Sequence, residues 1–117
     1  MTGSEQMTID QRAAAIRELN DDFRKDLRGG RLNVTTGVLD HTGGEVADLL
    51  EAIAAFDEFT DGNDPYGEHD FGAISYKGQP MFWKIDYYDL TLKYGSPDPA
   101  DPDVTTRAMT LMMAWEY

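Results

Sequence analysis

From Gln79 to Tyr88 the side chains alternate, with Met81, Trp83, Ile85 and Tyr87 on one side and Phe82, Lys84, Asp86 and Tyr88 on the other. A period of two with unlike faces predicts a β-strand, apolar on the side it buries. The preceding run, His69 to Tyr76, reads as a second strand, and only Lys77-Gly78 separates the two. That spacing predicts a tight hairpin. A hairpin with one apolar face must be covered, and the flanking sequence supplies helices for the purpose.

Thr8 with Gln11 forms a capping box, and Ile9, Ala13, Ile16, Leu19, Phe23 and Leu27 follow at helical spacing. Arg24, Lys25 and Arg28 sit near the negative end of that helix dipole, with Gly29-Gly30 as the stop. Arg31 to Thr36 alternates as a half-buried strand, and Gly37 to Gly44 turns the chain. A second helix is predicted from about Glu45 to Phe59, with Val46, Leu49, Leu50, Ile53 and Phe56 on one face. Thr60 to Glu68 is turn chemistry, and Asp89 to Asp101 is an irregular stretch stiffened by Pro97 and Pro99. Asp101 then caps a last helix with Pro102 at its first position and Val104, Ala108, Leu111 and Trp115 as its buried stripe. The order α-β-α-β-β-α predicts a small α+β domain over residues 8–117. It has a sheet of about three strands, mainly antiparallel and packed by helices, behind a flexible leader at residues 1–7. Phe23, Val46, Leu50, Ile53, Trp83, Ile85, Leu111 and Trp115 are the expected core.

Charge narrows the function. The chain carries 22 acids against 10 bases over 117 residues. Residues 57–103 hold eleven acids against three lysines, a net of −8, and residues 56–94 hold ten of the thirteen aromatics. Acid interleaved with aromatic is the mark of a folded negative surface, since disordered acidic tails are poor in aromatics. Such a surface repels nucleic acid and anionic membrane and attracts a basic groove on another protein. Cysteine is absent, which excludes disulfides and thiolate metal sites. No apolar run nears the roughly 18 residues of a membrane span, and Met1 to Gln6 lacks the order of a secretory signal, so a soluble cytoplasmic protein is expected.

Three segments carry a family likeness: Asn63-Asp64-Pro65-Tyr66-Gly67-Glu68-His69-Asp70-Phe71-Gly72, Phe82-Trp83-Lys84-Ile85-Asp86-Tyr87-Tyr88-Asp89, and Gly95-Ser96-Pro97-Asp98-Pro99-Ala100-Asp101-Pro102. In this order the chain resembles a short bacterial family of unknown function, found chiefly in proteobacteria and often on plasmids or other mobile elements. Arg17-Glu18-Leu19-Asn20-Asp21 fits the opening of the same family, so the likeness spans roughly residues 12–117. It implies a fold and a genomic setting, and no catalytic residues.

Glu68-His69-Asp70 is the chemical candidate: a histidine beside carboxylates suits a general base or a share in a divalent metal site. On a strand, however, Glu68 and Asp70 share one face and His69 takes the other. The plainer expectation is that His69 hydrogen-bonds a loop carbonyl while the acids cap turns. His41 is expected as a solvated loop residue, and Trp83 as core. Asp57 to Glu68 has the length of a calcium loop, but Phe59 and Pro65 stand where ligands belong. No nucleophile elbow, P-loop or dinucleotide fingerprint occurs, and no cofactor is expected.

The leading expectation is an acidic interaction module that occupies a basic nucleic-acid-binding surface of another protein or complex. It would act as an inhibitor of the anti-CRISPR or anti-restriction type, for example on a CRISPR effector. Fixed carboxylates can stand in for phosphates before arginine. The expected contacts are Asp57, Glu58, Asp61, Asp64, Glu68, Asp70, Asp98, Asp101 and Asp103, with no direct binding of nucleic acid or membrane, the chain being a monomer or homodimer. The alternatives are a small metal-assisted hydrolase using His69 with Glu68 or Asp70, Asp86 and Asp89, or a dimeric scaffold.

Overall fold

The structure, a computed structural model, describes residues 7–117; the expected leader lies outside them except for Met7. Helix α1 runs Ile9–Asp26. Thr8 and Gln11 form the capping box, and Leu27, in a left-handed conformation, ends the helix by donating its N–H to Phe23 O. Strand β1 is Arg31–Val34, α2 is Thr36–Thr42, and α3 is Ala47–Ala54. The hairpin follows as β2, Phe71–Tyr76, and β3, Gln79–Tyr88, and the last strand, β4, is Thr106–Met113. Short 3-10 turns at Pro102–Val104 and Ala114–Glu116 flank β4.

The four strands form one mixed sheet in the order β1-β4-β3-β2. β1 pairs parallel with β4, and the other two pairings are antiparallel. Met81, Trp83 and Ile85 of β3 lie level with Met113, Leu111 and Met109 of β4, and this face meets Phe23, Val38, Leu49 and Ile53 from the helices. The opposite face carries Phe82, Lys84, Asp86 and Tyr88 of β3, Ala108, Thr110 and Met112 of β4, and Phe71, Ala73 and Ser75 of β2. Tyr117 lies on this face, edge-on to Phe71 and Phe82.

The α+β class and the hairpin register follow the sequence, and four details differ. The sheet has four strands because the segment expected as a last helix is β4, one of the two interior strands. Its apolar residues lie on both faces, so it reads as a run that also satisfies helical spacing. Thr105, Thr106 and Thr110 favour the extended form. Trp115 therefore lies beyond the strand and is 74% exposed instead of in the core. The stretch expected to turn at Gly37–Gly44 holds α2: Thr35 caps it, Gly43 closes it in a left-handed conformation, and Glu116 reaches back to its first turn. Finally, the second helix stops at Ala54, and Val46 and Leu50 are only partly buried against the core.

Candidate functional site

Four polar residues of α1, Arg17, Asn20, Asp21 and Arg24, recur at three- and four-residue steps and so share one face of the helix. The loop from Asn63 to Asp70 is fastened to that face. Arg17 Nη1 donates to Gly67 O at 2.9 Å. Asn20, fully buried, donates to Glu68 O at 3.0 Å and to the Tyr87 hydroxyl at 2.8 Å, while its Oδ1 accepts from Arg107 Nε at 2.7 Å. Tyr87 donates its own proton to Glu68 Oε1 at 2.8 Å. Burial raises the Tyr87 phenol well above its ordinary range, and the neighbouring Glu68 adds to the shift. Arg107 also donates to Pro99 O at 2.6 Å and lies over the Tyr87 ring. The first helix and all three quoted segments thus meet at one buried polar centre.

His69 is not on a strand. It sits before β2 at φ 55°, a left-handed conformation unusual for a residue with a side chain. Asp64 holds it there by accepting the N–H groups of Glu68 and His69. The His69 ring stacks on Phe59 at 3.7 Å between centroids, and its Nδ1 donates to Asp21 Oδ1 at 2.8 Å. The expected bond to a loop carbonyl is therefore a bond to a helix carboxylate. Arg24 donates to the same Asp21 oxygen and to Ile53 O and Phe56 O, with its guanidinium over Phe59 and Trp83. Burial pushes the Asp21 carboxyl upward, but the bonds from Arg24 and His69 outweigh it and hold the group below its usual range. This chain of contacts locks a loop onto a helix.

The acids of the hydrolase alternative are directed elsewhere. Glu68 accepts from Tyr87, Asp86 pairs with Lys84 at 3.1 Å, and Asp89 accepts from Thr91 and Lys93. Among the described residues no three His, Asp or Glu side chains come together in a way that would hold a metal ion. Phe59, at the third position of the calcium-like span, packs on Phe56, His69 and Trp83. His41 lies in the last turn of α2 and donates to Tyr76 O at 2.8 Å, where a solvated loop residue was expected.

The nine expected contact acids divide into three groups. Asp57, Glu58, Asp61 and Asp103 are exposed. Glu68, Asp70, Asp98 and Asp101 are half-buried, with Asp98 paired to Arg12 at 2.9 Å and Asp101 accepting from Asp103 N. Asp64 is 8% exposed and turned inward onto the loop backbone, so it is no surface contact. Sequence reasoning missed the interior role of Arg17, Asn20, Arg24 and Arg107. Their helical spacing in α1 was a readable signal for the first three, though it marks a face without saying what covers it.

Fold and site together define a two-layer α+β domain that keeps an ionic clamp inside and most of its carboxylates outside. A family model described as a protein of unknown function (DUF3768) matches residues 34–116, and the chain belongs to that family. The three quoted segments lie within the match, and α1 lies outside it. A search of curated proteins and one of solved structures each found no match.

Proposed function

We propose that this chain is an acidic interaction module that covers a basic nucleic-acid-binding surface of another protein, acting as an inhibitor of a host defence system of the anti-CRISPR or anti-restriction type. One observation carries the reading. No Lys or Arg occurs from Leu32 to Tyr76, and within that stretch α3 and the segments flanking it expose Glu45, Asp48, Glu51, Asp57, Glu58 and Asp61. Among the described residues none of these six is in an ion pair. Two of the ten bases, Arg24 and Arg107, are buried in the clamp, so the surface is more negative than the composition. Free carboxylates on a rigid scaffold attract guanidinium groups as phosphates do. The contact set begins with Asp57, Glu58 and Asp61 and extends to Asp103, with Glu68, Asp70, Asp98 and Asp101 at its margins. The mobile-element setting implied by the family likeness suits such an inhibitor, and the work would be done in the cytoplasm.

The test uses the tagged chain to capture partners from a host that encodes CRISPR and restriction systems, followed by kinetics with the purified partner. The partner should bind DNA or RNA on its own, nucleic acid should compete with this chain, and binding should weaken with salt. Asp57→Lys with Asp61→Lys should lower the association rate by about tenfold or more, because exposed charges act mainly through steering. Among the described residues neither side chain makes a hydrogen bond, so a folded variant with unchanged rate and salt dependence would defeat the proposal.

A further inference from the structure

We infer that the chain pairs with a second copy of itself along the outer edge of β2, antiparallel, joining two four-stranded sheets into one. The inference rests on the sheet and is independent of the acidic-inhibitor reading. β2 ends the sheet order, so one of its sides meets no strand among the described residues. Tyr76 faces Gln79 across the Lys77-Gly78 turn, and Asp70 O accepts from Ile85 N at 2.8 Å. Even-numbered residues thus turn their N–H and C=O groups toward β3, and Phe71, Ala73 and Ser75 turn theirs outward. No turn, loop or side chain among the described residues bonds those outward groups.

Sheet edges that must stay single are guarded by charge, proline, a bulge or a covering element. β2 lacks the first three: Phe71-Gly72-Ala73-Ile74-Ser75-Tyr76 is uncharged and lacks proline, and its register with β3 is unbroken. Ala73 and Ser75 are exposed.

Charge selects the occupant. Glu68 and Asp70 precede the strand and Lys77 follows it. A twofold axis at Ala73 sets Phe71 against Ser75 of the second copy, and Lys77 against His69, beside the second copy's Glu68 and Asp70. Parallel pairing would bring like ends together. Antiparallel self-pairing matches both the outward hydrogen-bond groups and the charges at the strand ends. Two copies of a chain at −12 still repel at long range, so the dimer should tighten as salt screens them, opposite to the salt response of a basic partner.

Sedimentation of the full chain across a concentration series, at low and high salt, reads the association. The wild type should form a dimer that strengthens with salt, and exchange of the Phe71, Ala73 and Ser75 amides should slow as it forms. Ala73→Pro removes the two N–H donors that face each other at the axis and should weaken the dimer about thirtyfold. Should that variant misfold by circular dichroism, Ala73→Lys decides: it keeps the backbone donors, points to the open face, and sets two like charges opposite each other. Thr110→Glu, in the middle of the open face beside Lys84, should leave the dimer intact. A wild type that stays monomeric at every salt and concentration overturns the inference. So does a dimer that survives at Ala73, or one lost through Thr110→Glu alone.

Discussion

Asn20 shows how much one side chain can carry. Its amide meets the loop backbone at Glu68, the phenol of Tyr87 and the guanidinium of Arg107, three elements far apart in sequence. In a dry interior each of these groups would cost about 1–3 kcal/mol if left without a partner, which explains why a helix otherwise built on apolar spacing turns a polar face inward. Asp70 is the opposite case. Burial raises its carboxyl, and the nearby Glu68, Asp64 and Asp86 raise it further. A folded-state value above the unfolded one means that Asp70 favours folding at acid pH and loses that contribution as pH rises through the folded value. Asp70→Asn should therefore raise the melting temperature at neutral pH, with the gain vanishing below the ordinary carboxyl range. Thermal melts across pH check this, and equal shifts at acid and neutral pH would show that the charge is not the cause.

At the scale of elements, β4 and its flanks decide the architecture. Thr106 to Met113 lies between β1 and β3 and buries Arg107, Met109, Leu111 and Met113 toward the helices. The two tryptophans consequently differ. Trp83 is fully buried against Phe56 and Phe59 and directly over Gly72, where a Cβ would collide with its indole nitrogen. Trp83→Ala should cost about 3–5 kcal/mol. Trp115→Ala, on an exposed 3-10 turn, should stay within about 0.5 kcal/mol of wild type. Urea unfolding of both variants separates them, and a large loss at Trp115 would mean that the C-terminal turn packs on something it is not seen to touch.

For the whole molecule, the acid excess governs behaviour in solution. At −12, with two of the ten bases consumed inside, the folded state brings its own carboxylates together. Moderate salt should raise the melting temperature of dilute protein, levelling off as the screening length falls from about 10 Å toward 3 Å. A melting temperature independent of sodium chloride would show that the acids lie too far apart to repel.

The features already legible in the chain are those encoded between near neighbours. The acid excess needs only a count of residue types, and the alternation of β3, the Lys77-Gly78 turn and the Thr8–Gln11 box each depend on residues within a few positions of one another. The identity of β4 does not. Thr106 to Met113 suits either state locally, and it becomes a strand because Arg31–Val34 and Met81–Tyr88 supply hydrogen-bond partners on both sides. Much the same holds at the candidate site. The loop acids were visible as charge, but the charge pattern does not show that Asp64 turns inward onto the loop backbone or that the His69 ring reaches Asp21 of α1, 48 residues away. Local pattern specifies which conformations a segment can take. Long-range pairing and burial select among them, because only they satisfy the backbone and polar groups that the pattern leaves open.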